Sequence, residues 1–174
     1  MAAIAGGAEH TIVLCRDGTV WTWGRNGAGQ LGDGTTTGRL TPVQVQGMAD
    51  GVAIAGGFGH TIALRRDGTV WAWGINDGQL GDGTAPNRLT PVQAQGMVDV
   101  VAIAGGFVHT IALRRDGTVW AWGDNEHGQL GDGTTTGRLT PVQVQGLADV
   151  VAIAGGFSHT IALRRDGTVW AWGL

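Results

Sequence analysis

The sequence predicts an all-β fold, a β-propeller with about three and a half to four four-stranded blades in one chain. Three observations lead to this prediction. The chain repeats itself about every 50 residues, and each repeat alternates apolar and polar residues as β-strands do. An Asp-Gly pair separates two such runs in every repeat, which indicates a hairpin.

The repeat is carried by a few fixed motifs. AIAGG begins at residues 3, 53, 102 and 152, and each copy leads through HTI to RDGTVW and then WG. A segment with GQLGDGT and RLTPVQ follows three times, with its glutamine at 30, 79 and 129. We therefore expect a single repeat domain over residues 1–174. Its units run at about 1–50, 51–99, 100–149 and, as a partial unit, 150–174.

Each unit predicts four strands, called A to D. VAIAGG is strand A, whose small side chains suit the crowded centre of a propeller. HTIALRRDGTVWAWG is a hairpin of strands B and C, and PVQVQG after a Gly- and Thr-rich loop is strand D. Eight tryptophans lie in pairs on one face of strand C, where a neighbouring blade can bury them. We assign them a structural role in packing between blades: Trp21, Trp23, Trp71, Trp73, Trp120, Trp122, Trp170 and Trp172.

Four histidines occupy equivalent positions after the glycine pair, and this argues against a catalytic role, since an active site is a single asymmetric constellation. We expect one ring nitrogen of each to bond a backbone group at the corner between strands A and B. The structural histidines are His10, His60, His109 and His159. A catalytic Ser158–His159 pair is disfavoured, because the serine has no counterpart in the other units and neighbouring strand residues point to opposite faces.

No catalytic, cofactor-binding or metal-binding residue is predicted. GDGTTTG lacks the lysine and helix of a phosphate loop, and the aspartates Asp33, Asp82 and Asp132 each stand alone, where Ca²⁺ needs several oxygens. Loop-capping turns explain these aspartates better. The arginine pairs of the B–C turns, such as Arg65–Arg66, are followed by an aspartate and predict solvated turns.

Composition restricts partners and location. Eleven basic residues, all arginine, stand against fourteen acidic ones, giving a formal net charge of −3 and no general attraction to nucleic acid or to anionic membranes. One cysteine, Cys15, excludes an intramolecular disulfide. No signal peptide or membrane-spanning run is recognised, so a cytoplasmic location is expected.

The motif series IAGG, HTI, DGTVWxWG, GQLGDGT and the Pro-Val strand resembles the RCC1 (regulator of chromosome condensation) repeat over essentially the whole chain. This resemblance implies a β-propeller, usually of seven blades, that binds proteins. Bacterial β-lactamase inhibitor proteins with RCC1-like blades share several elements in shorter repeats. Guanine-nucleotide exchange is known for a eukaryotic member, but near-identical repeats without appended segments disfavour it here.

Variation among the repeats is concentrated in the A–B loops and at the start of the C–D loops, which should emerge on the same face of the disc. Loops on a repeat scaffold are where binding residues concentrate, so this face is the candidate partner-binding surface. Its candidate residues are Glu9, Arg25, Gly59, Ile75, Asp77, Val108, Asp124, Glu126, His127 and Ser158.

The sequence thus predicts a non-enzymatic protein-binding or scaffold propeller without a cofactor. Three complete units and a partial one leave Trp-bearing faces uncovered, so two chains are expected to close head-to-tail into one ring as a homodimer. A lone four-bladed monomer is the alternative, since propellers of four blades exist. An unidentified protein is the second expected partner. Two alternatives remain open: a recently amplified or designed repeat with a purely structural role, and an enzyme inhibitor of the β-lactamase-inhibitor type.

Overall fold

Fifteen strands form four antiparallel sheets in the computed structural model, which describes residues 2–174. Strands follow one another within each sheet in chain order, so each sheet is one A-B-C-D blade and the fourth stops after strand C. The predicted all-β propeller fold is confirmed, with no helix in residues 2–174. Within that range, accordingly, no helix is long and apolar enough to cross a membrane.

The strand bounds repeat closely from blade to blade. The A strands are β1 (Ala3–Gly6), β5 (Gly51–Gly56), β9 (Val100–Gly105) and β13 (Val150–Gly155). The B strands are β2 (His10–Leu14), β6 (His60–Arg65), β10 (His109–Arg114) and β14 (His159–Arg164). The C strands are β3 (Val20–Gly24), β7 (Val70–Gly74), β11 (Val119–Gly123) and β15 (Val169–Gly173). The D strands are β4 (Arg39–Gln44), β8 (Arg88–Gln93) and β12 (Arg138–Gln143).

The B–C hairpin closes at the Asp-Gly turn that the sequence indicates. In the second blade His60 pairs with Gly74 and Leu64 with Val70. Asp67 caps the turn, because its Oδ1 accepts hydrogen bonds from the Thr69 backbone N–H at 3.0 Å and from the Thr69 hydroxyl at 2.6 Å.

Consecutive blades pack a tryptophan face against an aliphatic face. Between the first two blades, Trp73 and Ala63 of the second blade share a buried cluster with Ile12, Val20 and Met48 of the first. Equivalent clusters join the second blade to the third and the third to the fourth. The hydrophobic core is therefore a series of layers between blades rather than one central core.

The two end blades each have one face without a neighbouring blade. Ile4 of β1 is 73% exposed, although Ile54, in the same position of the second blade, is half-buried. Val169 of β15 is 67% exposed and its counterpart Val119 is fully buried. Residues 109–123 and 159–173 have identical sequences, so the missing neighbours alone account for the difference at Val169.

Candidate functional site

The A–B loop and the start of the C–D loop are tied together in every blade by one backbone hydrogen bond. In the first blade the Arg25 N–H donates to the Glu9 carbonyl at 2.9 Å, and in the second the Ile75 N–H donates to the Gly59 carbonyl at 2.8 Å. The same bond joins Asp124 to Val108 and Leu174 to Ser158. The two variable loops of each blade are therefore direct neighbours.

A pocket of about 390 Å³ opens between the variable loops of the first and second blades. Half of the candidate binding residues line it, namely Glu9, Arg25, Gly59, Ile75 and Asp77. Glu9 and Arg25 form an ion pair through Oε2 and Nη1, and both side chains are well exposed. Such a pair contributes little to stability and leaves both charges available to a partner.

The remaining candidate residues lie on the third and fourth blades. Asp124 caps its own loop, because it accepts hydrogen bonds from the Glu126 N–H at 3.2 Å and the Gln129 side-chain amide at 2.8 Å. Glu126 and His127 are exposed, whereas Ser158 is buried beside β14. The structure thus divides the predicted surface into a pocket and a separate, more exposed loop.

For three of the four repeated histidines, His10, His60 and His109, the structure corrects the expected partner: it is a threonine side chain of the next blade and not a backbone group. The Nε2 atom of His10 lies 2.8 Å from Thr61 Oγ1, and that hydroxyl donates to the Gln30 carbonyl at 2.7 Å. Because the hydroxyl hydrogen is committed to Gln30, the imidazole Nε2 must carry the proton and donate. His60–Thr110 and His109–Thr160 repeat this arrangement at 3.1 Å.

Burial keeps these imidazoles neutral. Loss of solvation lowers the pKa of His10 to about 4 and that of His109 to about 4. The same cause, with the neighbouring histidines, lowers the pKa of His60 to about 3. A histidine that stays neutral and donates to a fixed threonine does not act as a general base near pH 7.

The loop aspartates that raised the question of a cation are fully used by the protein itself. Asp33 Oδ1 accepts from the Thr35 N–H at 3.0 Å, the Thr35 hydroxyl at 2.7 Å and the Asn26 amide at 3.1 Å. Its Oδ2 accepts from Arg39 Nε at 2.9 Å. Burial raises the pKa of Asp33, but the hydrogen bonds from Thr35 and Arg39 outweigh burial and hold this pKa below its usual value. Within residues 2–174 no cluster of three or more metal-ligating side chains exists.

The expectation of solvated arginine turns is wrong for the first arginine of each pair. The Arg65 guanidinium lies 3.8 Å from the centre of the Trp71 ring, and its Nη2 donates to the Gly47 carbonyl at 2.7 Å. Arg114 packs on Trp120 in the same way at 4.3 Å. Stacking on an aromatic ring explains why a charged side chain can be half-buried there. Only the second arginine of each pair, such as Arg66, is exposed as predicted.

A stack of phenylalanines that was not among the predicted binding residues lies at the inner end of the A–B loops. The rings of Phe58 and Phe107 are 4.4 Å apart and those of Phe107 and Phe157 are 3.8 Å apart, centre to centre. They border an opening of about 260 Å³ lined by the glycine pairs. The signal was present in the sequence, since phenylalanine follows AIAGG in three of the four repeats.

The sequence matches a known family model, and the structure superposes on solved propellers. The family model described as RCC1-like domain matches residues 1–174. Prp20p from Saccharomyces cerevisiae superposes with a TM-score of 0.84 at 32% identity, over 99% of this chain and 44% of that chain. Human WBSCR16 superposes with a TM-score of 0.85 at 26% identity, over 96% of this chain and 45% of that chain.

One short curated match has higher identity. The human E3 ubiquitin-protein ligase HERC2 is 52% identical over 40 residues, which is 23% of this chain and 1% of HERC2. This chain therefore spans less than half the length of each of these relatives.

Proposed function

The chain belongs to the RCC1-like domain family. We propose that it is a non-enzymatic protein-binding propeller, and that its partner contacts the variable A–B loops and the start of the C–D loops. One observation carries this proposal. The loops that differ between otherwise near-identical repeats meet at a pocket between the first two blades, lined by Glu9, Arg25 and Asp77. A concave surface with charged and apolar lining suits a protruding side chain or loop of a protein.

The solved relatives support a protein partner. Yeast RCC1 (Prp20) is bound to Kap60 in one crystal structure, and another describes the binding properties of Prp20p to Gsp1p and histones. The buried, neutral histidines and the fully bonded loop aspartates of this chain offer no group for catalysis.

Affinity capture with matched variants tests the binding face. We expect the immobilised chain to retain a stoichiometric protein from a native lysate, and Glu9→Lys with Asp77→Lys to weaken capture at least about 10-fold, because both carboxylates line the pocket. The control is Arg66→Glu with Arg115→Glu, which changes exposed charges in the B–C turns. Loss of capture in the control alone would assign the function to the opposite face. Absence of any stoichiometric partner would favour a purely structural repeat.

We also propose that two chains close head-to-tail into one ring. The uncovered face of the first blade is the tryptophan-bearing one: it carries Trp23, the equivalent of Trp73, with Ile4, 73% exposed, and the fully exposed Leu40. The uncovered face of the fourth blade carries the aliphatic residues Leu163 and Val169. Joining them would repeat the chemistry of the three internal interfaces, in which a tryptophan-bearing face covers an aliphatic one.

Light scattering coupled to size exclusion tests ring closure. We expect twice the chain mass of 17.9 kDa at micromolar concentration. Ile4→Asp should shift the protein to the single-chain mass, because it places a charge in the joined face. Val98→Asp, which changes an exposed apolar side chain away from both end faces, is the control and should leave the mass unchanged. A single-chain mass for the unmodified protein would exclude the ring.

A further inference from the structure

The pocket between the first and second blades has a buried glutamine, Gln30, in its lining. This residue is only 3% exposed. Its Oε1 accepts from the Ala28 backbone N–H at 3.0 Å, which fixes the orientation of the amide and leaves Nε2 as the free end. Within residues 2–174 no group accepts a hydrogen bond from this Nε2. Because a buried amide without an acceptor costs free energy, a bound molecule that supplies one gains affinity.

The third blade shows which kind of group this glutamine bonds when one is available. The equivalent Gln129 is held in the same way, since its Oε1 accepts from the His127 N–H at 2.9 Å. Its Nε2 donates to Asp124 Oδ2 at 2.8 Å. In the first blade Arg25 stands at the position of Asp124, and its side chain has no acceptor oxygen. A bound molecule can supply the oxygen that Gln30 lacks.

The same pocket has an excess of negative charge. Its ionisable lining residues are Glu9, Arg25 and Asp77. Glu9 pairs with Arg25, whereas the exposed carboxylate of Asp77 accepts no hydrogen bond and forms no ion pair within residues 2–174. A cation would balance this lining, and a further carboxylate would be repelled by it. The acceptor for Gln30 is therefore a neutral oxygen, such as a backbone carbonyl.

Two departures from the repeat shape the second-blade side of the pocket. Gly59 stands where the other units have larger side chains, and a Cβ atom there would lie 2.4 Å from Ile75 Cδ1. The glycine thus lets Ile75 lie against the loop backbone. The C–D loop is also one residue shorter in this unit, with NDGQ against NGAGQ and NEHGQ. Ile75 and Phe58, both half-buried, add apolar surface to the charged lining.

From these observations we propose that the pocket receives a lysine or arginine side chain from a loop of the partner protein, an inference that rests on the proposed binding function. The aliphatic part of that side chain packs on Phe58 and Ile75, and its cationic group lies beside Glu9 and Asp77. A backbone carbonyl of the same loop accepts from Gln30 Nε2. A basic residue in a loop brings both groups that this lining requires, a positive charge and a neutral acceptor.

Peptides selected on the immobilised chain test this proposal without knowledge of the natural partner. We expect a library of random peptides, displayed on phage, to yield ligands that share a lysine or arginine. The synthetic form of the best ligand should lose affinity at least about 10-fold when that residue is replaced by methionine, as measured by calorimetry. Its affinity should also fall with increasing NaCl, because salt screens the ion pair.

Two variants of the chain, each with a matched control, assign the contacts. Asp77→Asn should weaken the basic peptide at least about 5-fold and the methionine peptide by less than about twofold, because only the first has a charge to lose. Asp116→Asn, in an exposed B–C turn, is its control and should leave affinity unchanged.

Gln30→Met removes the buried donor and should weaken the basic peptide at least about threefold. Gln129→Met is its control, because it removes the corresponding donor of the third blade, outside the pocket lining, and should leave affinity unchanged. Thermal unfolding verifies that all four variants fold.

Three outcomes would overturn the proposal. The first is a set of selected peptides without a shared basic residue, and the second is the recovery of no binding peptide. The third is equal binding of the basic peptide to the unmodified chain and to either Asp77→Asn or Gln30→Met. Lysate capture tests the proposed function separately, since it requires no particular side chain of the partner. A captured protein together with selected peptides that lack a basic residue would therefore contradict this proposal alone.

Discussion

His60 of the second blade and Thr110 of the third are 50 residues apart in the chain, and their side chains meet at 3.1 Å. The Thr110 hydroxyl also donates to the Gln79 carbonyl of the second blade at 2.7 Å. One threonine is therefore held by two groups of the preceding blade. His60 and Thr110 are both fully buried. This relay, the pair of hydrogen bonds from His60 to Thr110 and from Thr110 to Gln79, therefore stabilises the interface between the second and third blades and sets their relative position.

Thr110→Val should destabilise the protein by about 2 kcal/mol, because it leaves the buried His60 Nε2–H without an acceptor and the Gln79 carbonyl without a donor. Thr11→Val is the matched control. Thr11 occupies the equivalent place in the first blade, where no histidine of a preceding blade exists in the chain, and its substitution should cost less than about 0.5 kcal/mol. Urea denaturation of dilute protein measures both values. Equal costs would show that the relay does not stabilise the interface.

Stability should fall as the solution is acidified from pH 6.5 to about pH 4. Burial lowers the pKa of His10 and His109 from 6.5 to about 4, so the unfolded chain takes up protons in this range and the folded chain does not. Each such histidine removes up to roughly 3 kcal/mol of stability across the range. The slope is about 1.4 kcal/mol per pH unit for each buried histidine.

Urea midpoints at several pH values measure this dependence. His109→Gln removes one of the protons that the chain takes up on unfolding. The variant should therefore show a smaller dependence of unfolding free energy on pH, by about 1.4 kcal/mol per pH unit, whatever its stability at pH 7. A free energy of unfolding that stays constant between pH 6.5 and pH 4.5 would contradict the buried, neutral state of these side chains.

Gly106→Ala should cost more than about 3 kcal/mol, since a Cβ atom there would lie 2.0 Å from His109 Cε1 and displace the imidazole from Thr160. Gly27→Ala is the control, because the site is open, with nothing within 4 Å of the added carbon. That change should be neutral or should stabilise the protein by up to about 1 kcal/mol, because alanine has fewer backbone conformations than glycine in the unfolded chain. Thermal unfolding compares the two variants. A mild effect at Gly106 would mean that the histidine has room to move.

Asp132→Ala should destabilise by about 2 kcal/mol, because Asn125, Thr134 and Arg138 all donate to this carboxylate. Asp116→Ala, in an exposed B–C turn with Thr118 as donor, should cost about 1 kcal/mol or less. Millimolar CaCl₂ should not raise the melting temperature of the unmodified chain. If CaCl₂ raises the melting temperature of the unmodified chain but not that of Asp132→Ala, Asp132 binds Ca²⁺ and the interpretation as a loop-capping residue is wrong.

The sequence by itself determined the fold of this protein. A period near 50 residues, alternating apolar positions and an Asp-Gly turn in every unit are local signals, and each strand of the repeat follows from residues within about ten positions of it. Variation between near-identical repeats also located the candidate binding loops. Internal comparison reveals such loops because the rest of each unit is held constant by packing.

The tertiary structure alone decided which residues meet across the blades. The threonine that accepts from each buried histidine is about 50 residues away, and no local pattern names it. The sequence expectation of a backbone partner failed for this reason. Arg65 was expected in solvent, but its Nη2 donates to the carbonyl of Gly47, 18 residues away in the chain, and no local pattern predicts that contact.

Two identical segments of the chain separate the effect of local sequence from the effect of tertiary neighbours. Residues 109–123 and 159–173 are the same fifteen letters. In the third blade they form the hairpin of β10 and β11, whose outer edge is covered by β12, and in the fourth they form β14 and β15, which has no strand on its outer edge. Local sequence sets the hairpin through backbone preferences and alternation, whereas burial and pairing depend on which neighbours the rest of the chain provides.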